Sequence, residues 1–130
     1  MEVLVDTSVW IDYFREGRKS AELDSLIDEN VIVTNDLILA ELVPYIKLKR
    51  QVKVINLLSE VKRIPLQLDW NDIIESQLKY LKSGSNGIGI PDLIIAQNAK
   101  EYHCEVFSLD KHFHVLSQII KVKLFRTHGS

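Results

Sequence analysis

The stretch Met1-Glu-Val-Leu-Val-Asp-Thr-Ser-Val-Trp-Ile-Asp-Tyr-Phe14 decides how the rest of the chain is read. Val3, Leu4 and Val5 form an apolar run too short for a helix and rich in β-branched residues, which predicts a buried strand. Asp6, Thr7 and Ser8 close that run, and all three are good helix-capping residues. Val9, Trp10, Tyr13 and Phe14 follow at helical spacings. A carboxylate therefore stands where a buried strand gives way to a helix. In an open α/β sheet, ligands bind at that edge, so the remaining sequence is searched for acids able to meet Asp6 there.

Working outward, 130 residues make one domain with room for one real core. The expected division is a single domain over 1–127, with 128–130 a disordered tail or cloning remnant. Apolar content of 46% and charged content of 26% are those of an ordinary globular protein. No apolar run approaches the roughly 18 residues of a membrane span, and no leader pattern opens the chain. The cytoplasm is the default expectation. Cys104 is the single cysteine, which excludes an internal disulfide and a Cys-rich zinc site. The net charge of −2 does not by itself point to nucleic acid. If four of the 18 acids belong to a site, however, the 16 Lys and Arg outnumber those remaining, and the outer surface is slightly basic.

Short apolar strands alternate with helices along the chain, the pattern of a three-layer α/β domain with a parallel sheet. Ser20 is the expected cap of a helix bearing Leu23, Leu26 and Ile27, and Val31 to Val33 form a second strand. Thr34 or Asn35 caps a third helix carrying Ile38, Glu41, Leu42 and Tyr45. Pro44 lies inside it and predicts a kink or break. A fourth helix covers Val54 to Val61, and Ile64 marks a short third strand limited by Pro65. Asp69 caps a fifth helix that stops near Gly84, and Pro91 opens a sixth. Residues 104–109 read as a fourth strand ending at Asp110, with a helical turn over 111–116. Ile120, Val122 and Leu124 alternate with polar neighbours, which predicts a fifth strand at a sheet edge.

Four acids of this pattern could share one place. Asp6 and Asp110 both follow strands, so in a parallel sheet they lie on the same edge. Asp92 sits in the first turn of its helix, where the helix dipole favours a negative side chain. Glu41 falls on the apolar side of the third helix, where a charge costs several kcal/mol, by rough estimate, unless paired or metal-bound. Each acid alone has a plainer reading as a cap, turn residue or surface charge. Together they would repel one another unless a cation intervened. Oxygen ligands without a His or Cys cluster point to Mg²⁺ or Mn²⁺, the equipment of phosphodiester hydrolysis.

Leu4-Val-Asp6-Thr-Ser-Val-Trp-Ile-Asp-Tyr13, Ile38-Leu-Ala-Glu41-Leu, Ile90-Pro-Asp92-Leu-Ile-Ile-Ala96 and Ser108-Leu-Asp110-Lys-His-Phe113 resemble, in order and spacing, the motifs of PIN-domain nucleases. Without appended domains, the chain looks most like the VapC toxins of type II toxin–antitoxin pairs. The resemblance implies a five-stranded parallel sheet of order 3-2-1-4-5 flanked by helices. It implies a Mg²⁺- or Mn²⁺-dependent endoribonuclease with Asp6, Glu41, Asp92 and Asp110 as its acidic set. Asp6 and Asp92 would be the direct metal ligands, Asp110 a further contributor, Glu41 an orienting group, and Ser108 a hydrogen-bonding support. It also implies a homodimer neutralised by a VapB-type antitoxin lying in a groove. Trp10, Tyr13 and Phe14 are candidates for the groove wall, against the plainer reading that they are core.

Lys47, Lys49, Arg50 and Lys53, with Lys111 and His112 beside Asp110, could contact RNA phosphates, although a lysine-rich run is as often a solvated face. Two alternatives stay open: a non-catalytic interaction module on the same fold, and a nuclease of RNA processing rather than a toxin. A haloacid-dehalogenase-like phosphotransferase would need an acid where Ser8 stands. A receiver domain would need paired acids near the first strand. The loop over 83–89 lacks the Gly-Lys-Ser/Thr ending of a P-loop.

Overall fold

The computed structural model describes residues 1–15 and 17–126. Thr127 and the expected tail at 128–130 lie outside the described residues. The order of elements is β1 (Val3–Val5), α1 (Thr7–Arg15), α2 (Leu23–Asp28), β2 (Ile32–Thr34), α3 (Asp36–Leu48), α4 (Val52–Glu60), β3 (Lys62–Arg63), α5 (Trp70–Lys82), α6 (Ile90–Glu101), β4 (Glu105–Phe107) and α7 (His112–Ile120). The strands form a parallel sheet of order β3-β2-β1-β4. Helices flank it: α1 packs on α3 and α3 on α4, while α5 packs on α6 and α7.

β1 is wholly buried because both its faces are covered, and so its sequence is a continuous apolar run rather than an alternating one. It pairs with β2 on one side and β4 on the other, with Val5 opposite Phe107. The chain leaves β1 toward β2, and β4 returns on the opposite side. The edge after Val5 and Phe107 is therefore the place where strand order reverses. Asp6 and Ser108 are the next residues on the two strands, and the Asp6 N–H donates to the Phe107 carbonyl at 2.9 Å.

Two caps form as the sequence predicts. Asn35 accepts the Ile38 N–H at 2.8 Å and opens α3, and Asp69 accepts the Asp72 N–H at 3.1 Å and opens α5. Ser20 does not cap α2. Its hydroxyl is buried without a hydrogen-bond partner, and Glu22 occupies the cap position. Pro44 does not break α3, which runs on to Leu48, because Ile38, Leu42 and Ile46 stay buried on both sides of it. The helix stops instead where Arg50 takes a left-handed backbone, φ 56°.

The expected five-stranded order is corrected at its last strand. Among the described residues there are four strands, and the fifth is reduced to one parallel bridge between Leu124 and Val106. Two hydrogen bonds make it, Val106 N–H to the Lys123 carbonyl and Phe125 N–H to the Val106 carbonyl, both 2.9 Å. The position is the predicted one, beside β4. The strand is short because Ile120 belongs to α7: Phe113, Leu116 and Ile120 continue one helical stripe, and the chain turns out of the helix only at Lys121, φ 59°.

Candidate metal centre at the β1–β4 edge

Asp6 is 6% exposed, yet it is well supplied with donors. The hydroxyls of Ser8 and Ser108 both donate to its Oδ2, each at 2.8 Å. Hydrogen bonds to an ionised carboxylate are about twice as strong as neutral ones, and two of them offset much of the cost of burying the charge. The serine oxygens are anchored in turn. Ser8 Oγ accepts the Leu109 N–H and Ser108 Oγ accepts the Asp110 N–H, both at 3.0 Å. The turn after β4 is thus tied to the start of α1 through a pair of hydroxyls 3.3 Å apart. Ser8 is a site residue that sequence reasoning missed, having taken it only as a helix cap. Its position two residues after the strand-end acid was the available signal.

Asp92 comes from the first turn of α6, where Gly89 and Pro91 set the entry and its Oδ2 accepts the Gly89 N–H at 3.2 Å. Burial pushes its carboxyl above the usual range. The Gly89 N–H opposes that rise, the charges of Asp110 and Asp6 add to it, and His112 lowers it. Asp110 Oδ1 accepts the His112 N–H at 2.9 Å and lies 2.7 Å from His112 Nδ1. Ligating atoms of Asp92, Asp110 and His112 all lie within 4.8 Å of one another. The phenol of Tyr80, 1% exposed on α5, is raised by burial and then by the charges of Asp110 and Asp92. It marks the inner wall of this cluster.

Glu41 is not where the sequence placed it. The buried line of α3 is Ile38, Leu42 and Ile46, and Glu41 stands about 100° round the helix from Leu42. It is exposed and accepts a hydrogen bond from the Thr7 hydroxyl at 3.1 Å. The argument from a buried charge therefore fails for Glu41, which instead stands at the rim, linked to Thr7, the residue after Asp6. Asp92 and Asp110 are in direct proximity, Asp6 joins them through Ser108 and by its field, and Glu41 joins through Thr7. Trp10 is core. Tyr13 donates to Asp24 at 2.6 Å, a bond that, with burial and the same carboxylate's charge, pushes its phenol up to about 12.

The PIN-domain family model matches residues 3–118. The chain belongs to the PIN-domain family. No functionally curated protein matches this PIN domain's sequence. Solved structures share its fold at low identity. A chain of VapBC2 from Rickettsia felis, solved bound to a DNA fragment from its promoter, has a TM-score of 0.75 at 22% identity, covering 96% of this PIN domain and 98% of that chain. DNA-bound VapBC from Salmonella typhimurium gives 0.74 at 14% identity, with 96% and 97% covered. VapC20 of Mycobacterium tuberculosis, described as a toxin that cleaves the sarcin–ricin loop, gives 0.62 at 14%, with 94% and 99% covered.

The acids of this PIN domain fit a hard divalent cation. Oxygen donors predominate, Asp92 is held above its normal range partly by its acidic neighbours, and no Lys or Arg ion pair neutralises Asp92 or Asp110 among the described residues. No described helix is long and apolar enough to cross a membrane.

Proposed function

We propose that this PIN domain is a divalent-metal-dependent endoribonuclease, the toxin of a cytoplasmic toxin–antitoxin pair, hydrolysing RNA phosphodiester bonds at the β1–β4 edge. The observation that carries the reading is the approach of Asp92 and Asp110 to within 4.8 Å, beside a buried Asp6 whose charge acts on Asp92. Asp6 and Asp92 would hold Mg²⁺ or Mn²⁺ directly, with Asp110 a further contributor. When bound, the cation supplies an acidified water and stabilises charge on the phosphate.

The chain's own part is to hold the acids in place and aimed. Ser8 and Ser108 fix one oxygen of Asp6, and among the described residues no hydrogen bond goes to the other. The backbone N–H groups of Gly89 and His112 orient Asp92 and Asp110. Glu41, held by Thr7, would orient a water from the solvent side.

A cleft of about 1320 Å³ is lined by Ser108, Asp110 and Lys111 together with Lys19, Lys123 and Arg126. Its basic groups, which outnumber the lining acids Glu22, Glu105 and Asp110, suit a phosphate backbone. The exposed Lys47, Lys49, Arg50 and Lys53 are a second candidate for such contacts. The partner in this reading is a VapB-type antitoxin, as in the VapBC complexes of the same fold.

A homodimer belongs to the same proposal, and α5 supports it. Trp70, Ile74, Leu78 and Leu81 form one exposed line on α5, while Ile73, Ser76 and Tyr80 face inward. Four of the helix's six apolar side chains are thus left to water, which favours a partner. Asp69 and Asp72 stand at its start and Lys79 and Lys82 at its end. An antiparallel, twofold pairing of α5 with its copy would lay the line on itself.

The test is incubation of the purified protein with total RNA in Mg²⁺, in Mn²⁺ and in EDTA, beside folded Asp6→Asn and Asp92→Asn variants. Cleavage confined to the wild type with metal is the expected result. Equal cleavage in EDTA would remove the metal mechanism, and no cleavage of any RNA would favour the non-catalytic module.

A further inference from the structure

The sequence offered an all-oxygen site, but the structure brings a nitrogen to it. An imidazole nitrogen of His112 lies within 4.8 Å of a carboxylate oxygen from each of Asp92 and Asp110, and Nδ1 is the nitrogen beside Asp110. It is buried and 2.7 Å from Asp110 Oδ1, yet it is not aligned to make a hydrogen bond there. That oxygen already accepts the His112 backbone N–H at 2.9 Å. A buried polar atom without a hydrogen-bond partner calls for an explanation, and a role as a metal ligand is one. The ring is also restrained on its far side. Its Nε2 faces Gly87 so closely that a Cβ on that residue would lie 3.2 Å away. The imidazole is thereby backed by the loop, with Nδ1 turned to Asp110.

We infer that His112 is a ligand of the cation in the proposed nuclease, through Nδ1, and that the Asp92–Asp110–His112 set selects a first-row transition dication over Mg²⁺. The inference rests on the metal-dependent reading above and narrows it. Mg²⁺ takes oxygen ligands, keeps its waters and demands near-ideal octahedral geometry. An imidazole in the set adds little for Mg²⁺. It adds affinity for the transition metals, in an order that rises from Mn²⁺ through Co²⁺.

The test is calorimetric titration of the RNA-free protein with Mg²⁺, Mn²⁺ and Co²⁺, with the visible d–d spectrum of bound Co²⁺ as a report on nitrogen ligation. The variants are His112→Ala and His112→Gln, both checked for folding by circular dichroism. The wild type is expected to bind Mn²⁺ and Co²⁺ more tightly than Mg²⁺. Either variant should weaken both transition metals by about 10-fold or more, the least effect typical of disturbing a metal site, shift the Co²⁺ spectrum, and leave Mg²⁺ within about twofold. Equal weakening of all three cations would mean that His112 only positions Asp110, and unchanged binding would give it no part. Either result overturns this inference while leaving the metal-dependent reading standing. A wild type that binds none of the cations would overturn both.

Discussion

At the scale of single residues, Asp92 illustrates how a site can work against the stability of the chain that carries it. Burial and two neighbouring carboxylates hold its pKa above the ordinary value. The metal-free fold therefore favours protonated Asp92. Its contribution is fully present below the unfolded pKa near 3.9 and is lost as pH rises through the higher folded value. Asp92→Asn removes that loss. In EDTA at neutral pH the variant should melt roughly 2–5 °C above wild type, and Mn²⁺ should raise the wild-type midpoint but not the variant's. Differential scanning fluorimetry reads both; a variant that melts lower in EDTA would contradict the account.

Ser8 and Ser108 make a second residue-scale case, because both bind Asp6 Oδ2 and each accepts from the turn that carries Asp110. Ser8→Ala and Ser108→Ala should each slow cleavage by about 10-fold, the scale of one hydrogen bond to a charged group. Because the two act on one carboxylate, the double variant should fall short of the product of the two losses. Kinetics of all three variants on one RNA decide this.

At the scale of elements, α3 and α6 carry Glu41 and Asp92 and are joined by a buried amide pair. Asn35 Nδ2 donates to Asn98 Oδ1 at 2.8 Å, and Asn98 donates to the Pro65 carbonyl at 2.8 Å. Asn98→Ala leaves a buried donor on Asn35 and a carbonyl unsatisfied, at about 1–3 kcal/mol each. A loss of roughly 2–6 kcal/mol in urea unfolding is expected. Asn35 was readable as a cap because a cap is a local pattern. Its second bond, 63 residues away, had no local trace. The same distinction governs the other elements. The β1–α1 junction and the Asp69 cap were legible because neighbours in sequence decide them. The 120–125 segment was not, because Ile120 fits a period of two and a helical stripe equally well, and only packing beside Leu116 and Phe113 chooses. Glu41 misled for a related reason: on α3, one step of about 100° separates the buried line from the rim. His112 was visible as a neighbour of Asp110, but its approach to Asp92 depends on how α6 meets the sheet edge.

At the scale of the whole molecule, the sheet is small, with strands of two or three residues, and the uncovered line on α5 is the largest apolar feature left to solvent on one element. If two copies bury it, a charge at its centre should separate them. Leu78→Glu is expected to convert a dimer to a monomer in analytical ultracentrifugation while leaving the circular dichroism spectrum unchanged, since Leu78 is already 42% exposed in the single chain. A wild type that sediments as a monomer at tens of micromolar would refute the pairing of α5.

Gly87 has a consequence that reaches beyond its own loop. Its backbone is left-handed, φ 86°, and a methyl group there would press on the His112 ring, 3.2 Å from Nε2. A side chain there meets two costs, a left-handed torsion and a contact so tight that the His112 ring must shift. In a saturation library screened for activity, codon 87 should tolerate almost no change despite lying at the surface. Gly84, equally left-handed but facing open space, should accept asparagine at modest loss. The contrast between the two codons would measure how far a solvent-facing loop is bound to the chemistry beneath it.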